Sequence, residues 1–479
     1  YLDWSRISPA IFGSMFQSVM NPKERRNLGA HYTSETNILK LIKPLFLDEL
    51  WKEFESIKDN KNKLSEFHKK ISTLKFLDPA CGCGNFLVVT YRELRLLELG
   101  ILKAIYKNQL AIDLESIIWL DVDMMYGIEY EEFPARIAEV AMWLIDHQMN
   151  MLISYEFAEY FARLPLKKAA NIFHGNALKI EWRSLLNVDQ KNYDFISNQL
   201  IVKVEEPITH YDKLTIKTQK LSKEKVNTQN QNKEIFDYIL GNPPFLGHHM
   251  QNENQKKDLH HVLKGIQAAG VMDYVTAWYY KASEYIQNTK TKVAFVSTNS
   301  IVQGEQVGIL WSYLMNNFKI KIHFAHRTFK WSNEAKGNAA VYCVIVGFAN
   351  FDTNNKIIFE YEDIRGEAHE LKVKNINPYL VDAKDVLRYN RSTPICNVPK
   401  IMYGSKPTDG GHFILNDVEK INFLEREPQA KKFIKPFISA KEYLNNEKRW
   451  CIWLVNAEPK EIKECALIME RIELVKKFR

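Results

Sequence analysis

The run Ile235-Phe236-Asp237-Tyr238-Ile239-Leu240-Gly241-Asn242-Pro243-Pro244-Phe245 constrains this chain more than any other. Its first half is a short apolar stretch of the kind buried in a parallel sheet. It then stops at Gly-Asn-Pro-Pro, where two prolines forbid both helix and further strand pairing. An amide, two rigid rings and an aromatic are therefore fixed at the carboxyl end of a central strand, the edge at which open α/β sheets bind ligands. Such a corner suits methylation of an exocyclic amine. An amine on a heteroaromatic ring is a poor nucleophile because its lone pair is delocalised. Two acceptors pulling on its N–H bonds free that lone pair. Asn242 offers a side-chain carbonyl, Pro243 a main-chain carbonyl, and Phe245 a flat face for the base. The competing reading is a plain strand-ending turn, since Asn-Pro and Pro-Pro are common turn formers.

The rest of the chain bears on that choice. At 479 residues it has room for two or more domains with sizeable cores. No apolar run reaches the length of a membrane span, and no signal peptide opens the sequence. It begins at Tyr1 without Met and closes on a charged helical pattern, so both ends are expected to be cuts from a longer protein. Six cysteines show no paired spacing, which fits a reducing, cytoplasmic setting. Net charge is +7, and residues 386–479 hold 18 Lys+Arg against 12 Asp+Glu. A basic appendage on a near-neutral body suggests a polyanionic partner. A solvated lysine-rich surface would look the same.

Residues 1–56 read as mainly helical, with Ile11, Phe12, Met15, Phe16, Val19 and Met20 at helical spacing. The turn Lys23–Ser34, with Tyr32 and Thr33, precedes a helix over Ile38–Leu50. It can bind a carboxylate or serve as an ordinary cap. Leu74–Leu77 reads as a strand, followed by Asp78-Pro79-Ala80-Cys81-Gly82-Cys83-Gly84 and an apolar helix. Strand, Gly-x-Gly turn and helix form the first unit of a doubly wound nucleotide-binding fold. Leu87 takes the place of the third glycine of the dinucleotide fingerprint. A ligand without a pyrophosphate, such as S-adenosylmethionine, fits better, with Asp78 at its amino-acid end. A second strand, Met124–Ile128, ends at Glu129, suited to both ribose hydroxyls, and at Tyr130, suited to covering an adenine. A third gives Ala170–Phe173 and then Asn176, a polar residue placed to bond the adenine.

Residues 184–233 interrupt this series as a polar, lysine-rich insertion. Beyond the corner, His248, His249, His260 and His261 lack acidic or cysteine partners at ligand spacing, so no metal is expected. Residues 319–326 and 340–348 read as strands of a hairpin-like pair. Phe329 or Trp331 at its tip is a candidate second wall for a base pocket, or simply core. Composition shifts around 375–400, and basic residues interleaved with Trp450 and Trp453 follow.

The ordered set (His31-Tyr32-Thr33-Ser34, Asp78-Pro79-Ala80-Cys81-Gly82-x-Gly84, Glu129, Gly175-Asn176-Ala177-Leu178 and Gly241–Phe245) resembles gamma-class DNA adenine N6-methyltransferases. Arg26–Ser34, Leu77–Phe86, Gly127–Leu144, Asn299–Trp311, His323–Ala335, Asp409–His412 and Arg449–Leu454 resemble, more narrowly, MmeI-like Type IIL restriction–modification proteins. The resemblance implies a mostly parallel, doubly wound α/β sheet of seven strands, the class I S-adenosylmethionine-dependent methyltransferase sheet. A partial α+β target-recognition domain would follow it. The expected divisions are a helical segment at 1–56, the methyltransferase at 57–388 and the start of the recognition domain at 389–479. It further implies double-stranded DNA as partner, a bacterial or archaeal cytoplasm, and a flipped adenine between Phe245 and Phe329 or Trp331. Catalysis would fall to Asn242, Pro243, Pro244 and Phe245. Cofactor binding would fall to Tyr32, Thr33, Asp78, Ala80, Gly82, Gly84, Glu129, Tyr130, Asn176 and Ala177. Asn176 departs from the Asp that many methyltransferases carry there. Full-length relatives also carry a nuclease domain, which nothing before residue 20 resembles. A protein-glutamine methyltransferase and a catalytically silent DNA-binding subunit remain as alternatives.

Overall fold

The computed structural model describes residues 33–106, 113–159, 161, 170–187, 235–331, 341–389, 391, 393–399 and 407–479. The helical reading of residues 1–32 and nearly all of the 184–233 insertion lie outside them. The chain divides into two compact units between Asn390 and Arg391.

The first unit is built on nine strands: β1 (Phe76–Asp78), β2 (Met125–Glu129), β3 (Asn171–His174), β4 (Tyr238–Gly241), β5 (Lys292–Thr298), β6 (Lys321–Trp331), β7 (Val341–Ala349), β8 (Lys356–Glu360) and β9 (His369–Val373). Their order is β3-β2-β1-β4-β5-β7-β6-β8-β9. The first five run parallel, and β7 is antiparallel to both its neighbours. The seven expected strands are thus present, and β8 and β9 extend the sheet beyond β6. After β3 the chain returns to lay β4 on the far side of β1. The carboxyl ends of β1 and β4 therefore meet at a topological switch point, where a ligand crevice opens.

Burial on both faces explains why the central strands are uniformly apolar. Ile239, Leu240 and Val293–Val296 are fully buried. On one face pack α1 (Glu35–Ile42), α2 (Asp48–Ile57), α3 (Lys61–Ser72), α4 (Asn85–Ile105) and α6 (Glu132–Phe157), with the short α5 (Leu114–Ile117) between the last two in sequence. A π-helical turn, Lys43–Leu47, joins α1 to α2. The other face is covered by α7 (Glu253–Val262), α8 (Thr276–Tyr285) and α9 (Gly304–Asn317). Within the first layer, buried Arg95 of α4 donates to Asp146 at 2.8 Å and Asn150 at 2.7 Å, both on α6. Glu98 accepts from His68 and from the backbone of Trp119 and Leu120, fixing the approach to β2.

The second unit pairs β10 (Ile414–Asn416), β11 (Ile434–Phe437) and β12 (Arg449–Ile452) as an antiparallel sheet in the order β10-β12-β11. Helices α10 (Asp417–Arg426), α11 (Ala440–Asn445), α12 (Pro459–Lys463) and α13 (Ala466–Phe478) complete it. Leu415, Phe423, Phe433, Ile452 and Ile468 form its core. Asn416 with Glu419, and Ser439 with Glu442, form capping boxes. Lys431, Lys432, Lys435, Lys441 and Lys448 are exposed, while Trp450 is held by Asp417 at 2.6 Å under the Lys420 ammonium. Among the described residues no helix is long and apolar enough to cross a membrane.

Candidate active site

Asp78 closes β1 and is fully buried. Its Oδ1 accepts the Ala80 N–H at 3.0 Å, and among the described residues Oδ2 has no hydrogen-bond partner. Burial pushes its pKa up to about 8, against the Ala80 bond that lowers it and with help from the nearby charge of Glu129. Beside it β4 ends at Gly241, with φ +154°. A Cβ there would stand 2.4 Å from Asp78 Oδ1, so only glycine lets the two strand ends close.

The turn after β1 holds Gly82 and Gly84 in left-handed conformations, φ +55° and +84°, and Gly84 starts α4. Cys81 N–H bonds the Ile128 carbonyl at 3.0 Å, clamping the turn onto β2. From the end of β2, Glu129 spreads its two oxygens over backbone donors, Gly82 N–H at 2.9 Å and Glu131 N–H at 3.0 Å. Its pKa is raised by burial, and those same N–H groups pull it back. Asp78, Ala80, Gly82, Gly84 and Glu129 thus form one cradle. At the end of β3, Asn176 Oδ1 accepts Leu178 N–H at 2.9 Å, and the Ala177 carbonyl accepts from the indole of Trp182 at 3.0 Å. Tyr130 is 60% exposed, with its ring available to a ligand.

The corner itself is braced from far away in sequence. Asn242 donates its amide N–H to the hydroxyl of Thr33, 209 residues earlier, at 3.2 Å. That leaves Asn242 Oδ1 buried and, among the described residues, without a partner. Ser34 stands at the N-cap of α1 without a side-chain capping bond, so the cap role foreseen for Thr33 or Ser34 is not what holds this turn. Phe245 packs against the apolar layers of both sheet faces. Leu246 N–H is held by Asp273 at 2.9 Å, and the indole of Trp278 bonds the Pro79 carbonyl at 3.1 Å, tying the corner's support to the β1 turn.

One expectation is corrected. Phe329 is 1% exposed, with Tyr361 stacked at 5.3 Å and the Lys40 ammonium 4.5 Å from its centroid. It has no open face for a base. The bulge between His326 and Phe329 breaks the alternation that would have predicted which side the ring takes. Tyr32 and the Trp331 side chain lie outside the described residues. Among those residues no group of three His, Cys, Asp or Glu is placed to hold a metal.

The buried acceptor of Asp78, the paired acceptors of Glu129 and a glycine turn without side chains fit a nucleoside carrying a cationic amino-acid group. Sequence reasoning missed Thr33's bond to Asn242, and also Asp258, Asp273 and Trp278. Asp273 precedes α8 as an N-terminal Asp commonly does, which was the one available signal.

Residues 54–360 match the family described as MmeI, DNA-methyltransferase domain, and residues 382–479 match MmeI, target recognition domain. DNA methyltransferase A of Bacillus subtilis (strain 168) is 37% identical over 480 residues, a match that takes in 100% of this chain and 49% of that protein. The solved Type IIL restriction–modification enzyme MmeI, in complex with DNA, is 51% identical with a TM-score of 0.86, over 100% of this chain and 58% of that one. The chain therefore spans about half the length of these relatives.

Proposed function

Since this chain belongs to the MmeI family, we propose that it transfers a methyl group from S-adenosylmethionine to the N6 amine of adenine in duplex DNA, as part of a restriction–modification protein. The observation that carries this reading is the state of Asn242: its N–H is committed to Thr33 and its Oδ1 is buried without a partner among the described residues. A neutral amide so fixed can only accept, which is what an aromatic amine needs in order to become nucleophilic. The cofactor, when bound, supplies an electrophilic methyl group on a sulfonium. Asp78 would hold its ammonium and Glu129 its ribose hydroxyls. Asn242 Oδ1 and the Pro243 carbonyl would draw the two N–H bonds out of the ring plane. The amine lone pair then forms the new N–C bond, and one N–H proton is lost. Phe245 would stack on the base outside the helix, worth roughly 1–3 kcal/mol against the cost of unstacking. The basic second unit would bind phosphates and read sequence.

The test is methyl transfer from labelled S-adenosylmethionine to unmodified plasmid, using the protein that carries this chain, followed by nucleoside analysis. N6-methyladenosine is expected. Label recovered in protein rather than DNA would instead favour a glutamine methyltransferase.

Two results should accompany it. Glu129→Ala removes acceptors for charge-assisted bonds, each worth about 1.5–3 kcal/mol, so cofactor affinity should fall about ten- to a hundredfold. Calorimetric titration giving the wild-type constant would take Glu129 out of the site. Asp78, with its pKa raised to about 8, is mostly protonated at pH 7 in the free protein and would ionise beside a bound ammonium. Cofactor binding at pH 7 should therefore expel a proton, seen as a dependence of binding enthalpy on the buffer's ionisation enthalpy. Asp78→Asn should bind more weakly and lose most of that dependence.

A further inference from the structure

Asp258 of α7 is an acidic side chain at this sheet edge that nothing above uses. It is 8% exposed. Its Oδ2 accepts the Asn176 amide N–H at 2.7 Å, and its Oδ1 lies 3.1 Å from Lys179 Nζ. The helix that carries it is firmly placed. Asn252 and Gln255 form a capping box at its start, and Gln251 donates to the carbonyls of Leu246 and Met272, each at 2.9 Å. Tyr274 lies within electrostatic reach of both Asp258 and Tyr130. Its phenol is pushed up by burial and then by those two groups. Asp258, Asn176, Tyr274 and Tyr130 thus gather where the ends of β2 and β3 lie side by side, next to the ribose-suited Glu129.

An adenine's exocyclic amine is a donor and needs an acceptor. Asn176 is poorly supplied for that task, because its N–H goes to Asp258 and its oxygen already serves Leu178. A carboxylate has about four acceptor directions, and the bonds to Asn176 and Lys179 take two of them. We propose that Asp258, paired with Asn176, accepts the exocyclic amine of the cofactor's adenine, so that α7 distinguishes adenosine from a 6-oxopurine nucleoside. This rests on the S-adenosylmethionine reading above. A 6-oxo group would set a carbonyl against the carboxylate and leave both without a proton to share. Sites built on a buried hydrogen bond reject such analogues strongly.

The experiment is calorimetric titration with S-adenosylhomocysteine and with its deaminated analogue, S-inosylhomocysteine. The wild type should prefer the adenosine compound by about a hundredfold or more. Asp258→Asn keeps the shape, loses the charge and faces the amine with N–H donors, so that preference should shrink at least tenfold. Asn176→Asp places two carboxylates in contact and should weaken both ligands. Asn176→Asp with Asp258→Asn restores one carboxylate and one amide with their positions exchanged, and should recover most of the preference. Thermal unfolding of each variant confirms that it is folded. The proposal is overturned if the wild type binds both ligands equally, if Asp258→Asn keeps the wild-type ratio, or if the exchanged pair is no better than Asn176→Asp alone. If the wild type binds neither compound nor S-adenosylmethionine, the cofactor reading itself falls, and this proposal with it.

Discussion

Asn242→Ala is expected to lower single-turnover methyl transfer by about a hundredfold or more, the scale of losing one positioned hydrogen-bond group, while cofactor affinity stays within about twofold. The asymmetry follows from where the side chain points. Its N–H is spent on Thr33 and its oxygen is buried at the corner, whereas the cradle residues Asp78, Gly82 and Glu129 do not bond to it. Thr33→Val offers the companion measurement. It keeps the volume and removes the acceptor that orients the amide, so the rate should fall by less than in Asn242→Ala, again without a change in cofactor affinity. Thr33 acts through Asn242 and is a positioning residue. Rates for Asn242→Ala equal to the wild type would remove the amide from the mechanism. Cofactor binding lost in parallel with rate would show that the corner is structural.

Gly241→Ala should be the most damaging single methyl group in the first unit. The new Cβ would stand 2.4 Å from Asp78 Oδ1 and 3.0 Å from its Cγ, at a backbone φ of +154° that side chains rarely adopt. Either Asp78 swings out or the two strand ends part. Overpacking of this kind costs about 1–3 kcal/mol of stability. Displacing the carboxylate should also cost cofactor affinity roughly ten- to a hundredfold, the worth of one charge-assisted bond. Gly247→Ala provides the control, because a Cβ there meets nothing within 4 Å and its φ is an ordinary −59°. Thermal unfolding and calorimetry should separate the two variants clearly. A Gly241→Ala protein with wild-type melting and affinity would mean that the two strand ends have slack.

How far this could be read in advance differed from element to element. The glycine turn after β1, the strand-end acid Glu129 and the proline corner announce themselves because each is a local device: its residues are neighbours in sequence. The first five strands were legible because burial on both faces leaves no alternative to apolar runs. β9, His-Glu-Leu-Lys-Val, is a sheet-edge strand with mostly exposed side chains, and it carries no such run. The bonds from Asn242 to Thr33 and from Asn176 to Asp258 join residues 209 and 82 positions apart. No spacing rule reaches that far. Asp258 was hidden in a stretch whose histidines drew attention instead. Phe329 was misjudged for another reason: one bulge between it and His326 decides which way the ring turns.

The placement of β4 beside β1 has a consequence for how the protein is made. On a ribosome adding about 5–20 residues per second, β4 emerges roughly ten to thirty seconds after β1. Until then β1 can pair with β2 alone, and the edge that will become the middle of the sheet stays open to other chains. The Lys75 N–H that Asp237 will accept from, at 2.8 Å across 162 residues, must wait as long. Contacts of such separation are slow to close. Synthesis therefore leaves a nascent β1–β3 unit that is apolar and one-sided, and a chaperone that shields this edge would be of most use before residue 241 has cleared the exit tunnel.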